Sequence, residues 1–128
     1  MRILAALAVL VLASCAPSGA AWNTFRDRFL ERSFELDPTF AAYQGRHAFD
    51  GKLPDWSEAG LAAQIAFLKT SIAEADAFKG LDDAQDFERD YLVSVARGNL
   101  FWLETADQPH ANPAFYMDSL SPSLYITH

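Results

Sequence analysis

The sequence predicts an all-α fold in which amphipathic helices form an incomplete helical domain. From Trp22 onward apolar residues recur at steps of three and four, as on a helix face. No seven-residue window alternates apolar and polar in the manner of a half-buried strand. Asp, Ser and Pro open the apolar segments and Gly closes them, which is the chemistry of helix ends.

The N-terminus stands apart from this pattern. A single charge, Arg2, precedes Ile3-Leu4-Ala5-Ala6-Leu7-Ala8-Val9-Leu10-Val11-Leu12, a run that is apolar throughout and ends before Pro17 and Gly19. A helix crossing a bilayer needs about 20 apolar residues, so the run reads as a signal peptide over residues 1–14. Leu12-Ala13-Ser14-Cys15 resembles the bacterial lipobox, in which cleavage precedes a diacylated cysteine. Cys15 is the single cysteine of the chain and has no partner for an internal disulfide, which fits a lipid-bearing role. The expectation is an exported protein anchored in a membrane through lipidated Cys15, with residues 15–21 as a tether and several acyl chains holding it firmly. Ala16 resembles the residue that sorts such proteins to the periplasmic side of the outer membrane where two membranes exist.

Residues 22–128 carry the helices. The first runs from Trp22 to Leu36, with Trp22, Phe25, Phe29 and Leu36 on one stripe, Leu30 and Phe34 widening it, and Asp27, Arg28, Glu31 and Arg32 outside. Asp37-Pro38 then caps a short helix through Phe40 and Tyr43, closed at Gly45. Residues 46–56 hold Asp50-Gly51 and Leu53-Pro54-Asp55 and read as a loop. Ser57 caps a longer helix reaching Lys79, with Leu61, Ile65, Leu68, Ile72 and Ala75 inward and Gly80 at its end. Asp82 and Gln85 form a capping box for a further helix to about Thr105. Phe87, Tyr91, Val95 and Trp102 lie along one face of that helix with Leu92, Phe101 and Leu103 beside them, an apolar arc wide enough to expect neighbours on more than one side.

Beyond a loop containing Pro109, Asn112-Pro113 and Ser121-Pro122 each read as a cap followed by proline at the first helical position. After the second come only Ser123-Leu124-Tyr125-Ile126-Thr127-His128, apolar and without a stopping signal. The expectation is that the natural protein continues past this point, and that the mature segment alone is marginally stable and prone to self-associate.

Composition narrows the function. The formal net charge is −7 and becomes −8 once Arg2 leaves with the leader. Nucleic acid is excluded as a partner, because its phosphates require clustered Lys and Arg and the basic residues here are scattered among acids.

No catalytic or metal constellation emerges from the residues. His47, His110 and His128 are isolated, without the one-turn pairing of a zinc helix, and read as surface or loop residues. Glu31 and Glu35 lack the Glu-x-x-His partners of a di-iron bundle. Asp82, Asp83 and Asp86 lack the spacing of a calcium loop and suit a helix N-terminus. Ser119, Ser121 and Ser123 sit in no nucleophile elbow, and the glycines fall singly, without phosphate-loop spacing. Phe101, Trp102, Phe115, Tyr116 and Tyr125 are the candidate aromatic surface: they could line a pocket for an apolar or peptide ligand, although core packing is the simpler account. No catalytic residue, metal ligand or cofactor is assigned.

Several separate stretches resemble one family. Leu36-Asp37-Pro38-Thr39-Phe40-Ala41-Ala42-Tyr43-Gln44-Gly45-Arg46-His47, then Asp50-Gly51-Lys52-Leu53-Pro54-Asp55-Trp56-Ser57, is similar in order and spacing to the N-terminus of the bacterial family catalogued as domain of unknown function 885. The Leu61 to Leu68 helix start, the acidic Asp82 to Tyr91 segment and Asn112-Pro113-Ala114-Phe115-Tyr116, which looks like an Asn-Pro-x-x-Tyr element, extend the resemblance over nearly all of residues 22–128. It implies a long, mostly helical lipoprotein similar to zinc metallopeptidases, with an H-E-x-x-H helix well downstream of this region. In complete members zinc would be expected, held by two histidines and an acid while the glutamate activates water. None of those residues falls in this chain.

Two expectations follow. One is the N-terminal helical segment of a zinc peptidase-like lipoprotein, catalytically inert in this chain, whose partners are the membrane and the remaining helices or a peptide. The other is a small lipid-anchored helical binding or scaffolding module of the cell envelope.

Overall fold

The structure is a computed structural model and describes residues 19–117. Among these the chain is helical with no strand, as the periodicity predicts. The leader, Cys15, Ser121-Pro122 and Tyr125 lie outside the described residues.

Helix α1 spans Gly19–Leu36 and so begins three residues before Trp22, inside the stretch read as tether. Its first turn is docked: the Gln85 side chain donates to the Gly19 carbonyl at 3.1 Å, and a Cβ on Gly19 would lie 2.7 Å from that side chain. Helix α2, Pro38–Tyr43, is capped by Asp37, whose carboxylate accepts from the Phe40 N–H. It closes as the sequence predicts, with Gly45 at φ +80°. The Gly45 and Arg46 N–H groups donate to the carbonyls of Ala42 and Ala41, the paired bonds of a Schellman ending. The loop that follows contains a 3-10 turn at His47–Phe49.

Helix α3, Glu58–Ala77, starts at the Ser57 cap, whose hydroxyl accepts from the Gly60 N–H at 3.1 Å. It ends two residues short of Lys79. The reason is Phe78, which takes an extended backbone (φ −67°, ψ 132°) and turns its ring into the core. Helix α4, Asp83–Leu100, carries the complete Asp82–Gln85 capping box. Its continuation, Phe101–Thr105, is π-helical, with the Ala106 N–H donating to the Phe101 carbonyl at 2.8 Å. Pro109, read as part of a loop, instead lies in the first turn of a short helix α5, Gln108–Ala111, where its missing N–H leaves no intrahelical bond unmade. Asn112 then accepts from the Ala114 N–H at 3.0 Å, and residues 114–117 are helical.

The core sits where α1, the end of α3 and α4 meet. Trp22 is fully buried, with Phe25, Ala75, Phe78, Leu92 and Val93 around it and Phe29, Ile72 and Leu81 packed against them. The Trp22 ring lies 5.4 Å from both Phe25 and Phe78, the latter edge-on at 82°. Its indole N–H is not orphaned, since it donates to Glu88 at 2.9 Å, and Arg26 holds the same carboxylate at 3.0 Å. A second small cluster joins α1 to α2: Phe34 meets Phe40 and Phe49, and Arg46 lies 5.0 Å above its ring while forking onto Glu31 at 2.7 and 2.8 Å. Glu31 is therefore paired, and Glu35 is bonded to Arg32.

Candidate functional site

Helix α4 turns an unusual face to solvent. Its core side consists of Leu92, Val93 and Ala96. Phe87, Tyr91 and Val95 fall on the opposite side by helical spacing, and there the arc for which the sequence predicts a further neighbour is open to solvent. Phe87 is 72% exposed, Tyr91 65% and Trp102 54%, with Val95 and Phe101 also exposed. The row advances about 22 Å from Phe87 to Trp102 at 1.5 Å per residue. Phe87 and Tyr91 stack at 6.4 Å, and Phe101 meets Trp102 edge-on at 5.1 Å. Between these aromatic pairs lie Ser94 and Gly98, and nothing stands within 4 Å of where a Gly98 Cβ would be. The row thus has a notch in its middle.

Charge lines both sides of the row. Glu88 lies on one flank, where it is held by Trp22 and Arg26 of α1 and its carboxyl is lowered from its ordinary value by the indole bond first and the guanidinium second. Asp90 and Arg97 lie on the other, with Arg97 donating to Asp76 of α3 at 3.1 Å and Asp90 accepting from Arg89 at 2.8 Å. An aromatic face with a charged rim has the composition of a protein-packing surface.

The candidate aromatic residues are divided by the fold. Phe101 and Trp102 belong to this exposed face, so core packing does not account for them. Phe115 and Tyr116 are half-buried, contact each other at 5.2 Å, and Tyr116 also meets Trp56 edge-on at 5.5 Å and donates to the Pro109 carbonyl at 2.8 Å. No ring contact joins the two pairs among the described residues, and Tyr125 and Cys15 lie outside them.

At the end of the π-helical turn the backbone kinks through Asp107, whose φ of +47° is uncommon for a residue other than glycine. Asp107 accepts from His110 Nδ1 at 2.5 Å while Glu58 accepts from Nε2 at 2.8 Å, clasping α5 to the start of α3. The two carboxylates, Asp107 foremost, push the imidazole pKa up to about 9. The ring therefore carries its proton at neutral pH and has no free nitrogen with which to bind metal or accept a proton. Beside it is a hollow of about 380 Å³ walled by Leu61, Ala62, Ile65 and Leu103. Its remaining acid, Glu104, is paired with Lys69. None of Phe101, Trp102, Phe115 and Tyr116 lines it, nor do they line the hollow of about 390 Å³ between Phe25, Phe29 and Phe67.

No family model, curated protein or solved structure matches the chain. Among the described residues no group of three or more His, Cys, Asp or Glu side chains could hold a metal ion, and no helix is long and apolar enough to cross a membrane. Local sequence pattern does not show the full His110 clasp, because Glu58 is distant along the chain. Its local half, Asp107 three residues before His110, was a signal available there.

Proposed function

We propose that this protein is a membrane-tethered lipoprotein, anchored through acylated Cys15, whose helical domain binds through the exposed face of α4 and performs no catalysis itself. The observation that carries the binding role is the row Phe87, Tyr91, Val95, Phe101 and Trp102, an apolar face left open on the side of α4 away from the core. A monomer rarely leaves so extended an aromatic row uncovered unless something docks there. In the peptidase-like reading suggested by the resemblance, the domain is the N-terminal segment of a zinc peptidase-like protein, supplying packing surface while hydrolysis belongs to residues elsewhere. As a scaffold in its own right it would present the same face to an envelope partner. The exposure of the row beside a core that closes without it favours this second role as well.

Metabolic labelling with a palmitate analogue tests the anchor. The wild-type chain should incorporate label and sediment with membranes, whereas Cys15→Ala should do neither; unlabelled wild-type chain would overturn the lipoprotein reading. Sequencing the transcript beyond the His128 codon separates the two roles. A continuation encoding H-E-x-x-H supports the peptidase-like assignment, and an immediate stop supports the scaffold.

A further inference from the structure

We infer that the exposed face of α4 pairs with the same face of a second copy of this chain, the two helices running antiparallel about a two-fold axis that passes between Ser94 and Val95. The inference rests on the reading of this face as a binding surface and names its occupant.

The row is complementary to itself in that register. An antiparallel copy centred between Ser94 and Val95 sets Phe87 opposite Trp102 of the second copy, and Tyr91 opposite Gly98 of the second copy. The phenol then enters the notch that Gly98 leaves open, where nothing stands within 4 Å of a Cβ position. At the centre Ser94 faces Val95 of the second copy, so the backbones can approach without two large side chains colliding. Phe87, Tyr91 and Trp102 each meet a ring or a gap, and the two-fold axis makes each contact twice. A parallel copy in register would instead set Tyr91 against Tyr91 and Gly98 against Gly98, leaving the notch empty.

Charge agrees with the same register. About such an axis equal flanks meet, so the flank carrying Asp90 and Arg97 adjoins its counterpart. Asp90 sits before the centre and Arg97 after it, which brings Arg97 beside Asp90 of the second copy within one helical turn. The other flank carries Glu88, already neutralised by Arg26.

From their exposure, Phe87, Tyr91, Val95, Phe101 and Trp102 offer at most roughly 600 Å² per copy when wholly covered, the lower bound of stable specific interfaces at about 600–1,000 Å² per partner. Flanking residues add to this.

The tether is accommodated as well. Helix α1 lies on the Glu88 flank, because Trp22 and Arg26 both bond Glu88 and Gly19 bonds Gln85, while α3 lies on the opposite flank through Asp76 and Arg97. Equal flanks meeting puts both α1 helices, and so both chain entries at Gly19, on one side of the pair. Two chains anchored in one membrane require that arrangement.

The test is disulfide cross-linking of the full chain in its own membranes. Ser94→Cys, close to the axis, should join into dimers on mild oxidation at least tenfold more than Thr70→Cys on α3, with the wild-type chain reporting any contribution from Cys15. Phe87→Cys and Trp102→Cys, some 22 Å apart along the helix, should cross-link to each other when co-expressed and far less when either is alone. Gly98→Leu, which fills the notch, should cut the Ser94→Cys dimer at least tenfold while the purified variant keeps its helical circular dichroism. A thiol-reactive polymer separates the failures. Ser94→Cys that is shielded from the polymer yet yields no dimer means another partner or further helices cover the face, which overturns the second copy and retains the binding surface. Ser94→Cys that reacts freely and stays monomeric overturns both.

Discussion

At the residue scale the decisive side chains are those that satisfy a buried polar group or clasp two elements. Trp22 combines full burial with an indole bond to Glu88. Trp22→Ala should cost about 3–5 kcal/mol in chemical denaturation, a large fraction of the stability a small domain possesses. His110 supplies a pH dependence with a definite sign. Its folded pKa of about 9 lies above the ordinary histidine value of 6.5, so the charged clasp contributes fully below pH 6.5 and is lost as pH rises through 9. The imidazole carbon resonances followed by NMR should titrate near pH 9, and His110→Asn should remove the alkaline loss of stability. A midpoint near 6.5 would mean that Asp107 and Glu58 do not hold the ring in solution.

At the element scale, helix ends are governed by local chemistry and helix faces are not. Gly60, in the first turn of α3, shows how a contact can outweigh propensity. Alanine favours helix over glycine by about 1 kcal/mol, but a Cβ on Gly60 would stand 2.1 Å from the Asp55 carbonyl oxygen, a backbone atom that cannot simply rotate away. Gly60→Ala should therefore lower stability by about 1–3 kcal/mol, the usual cost of overpacking. Gly98 is the converse case, with open space around it, and Gly98→Ala should raise the thermal midpoint of dilute monomer by an amount equivalent to about 0.5–1 kcal/mol. Comparing the two midpoints tests whether the α3 start is packed as described. Tyr91→Glu, on the exposed row, should leave monomer stability within about 0.5 kcal/mol while increasing solubility, measured as the concentration at which light scattering begins to rise.

At the scale of the whole molecule, one aromatic core near Trp22 and a satellite around Phe34 hold the helices, and the open α4 face is left over. A chain of this size buries only about 60–70% of its unfolded surface, so covering that face adds stability through mass action. The thermal midpoint of wild-type chain should rise with protein concentration, and that of Tyr91→Glu should not. Scanning calorimetry at several concentrations reads this directly.

The sequence by itself determined the helical class and most helix starts, because caps such as Asp37, Ser57 and the Asp82–Gln85 box act through bonds no more than three residues away. It also exposed the apolar excess of α4. Which side of α4 faces the core was settled only by tertiary structure, since Leu92 and Val93 fill the space beside Trp22 and Ala96 is buried on the same side, while the larger Phe87, Tyr91 and Trp102 are turned outward. The early end of α3 at Phe78 and the clasp of His110 by Glu58 have the same origin. Both arise where segments far apart in the chain meet, and helical periodicity ranks the faces of one helix without saying which neighbour will claim them.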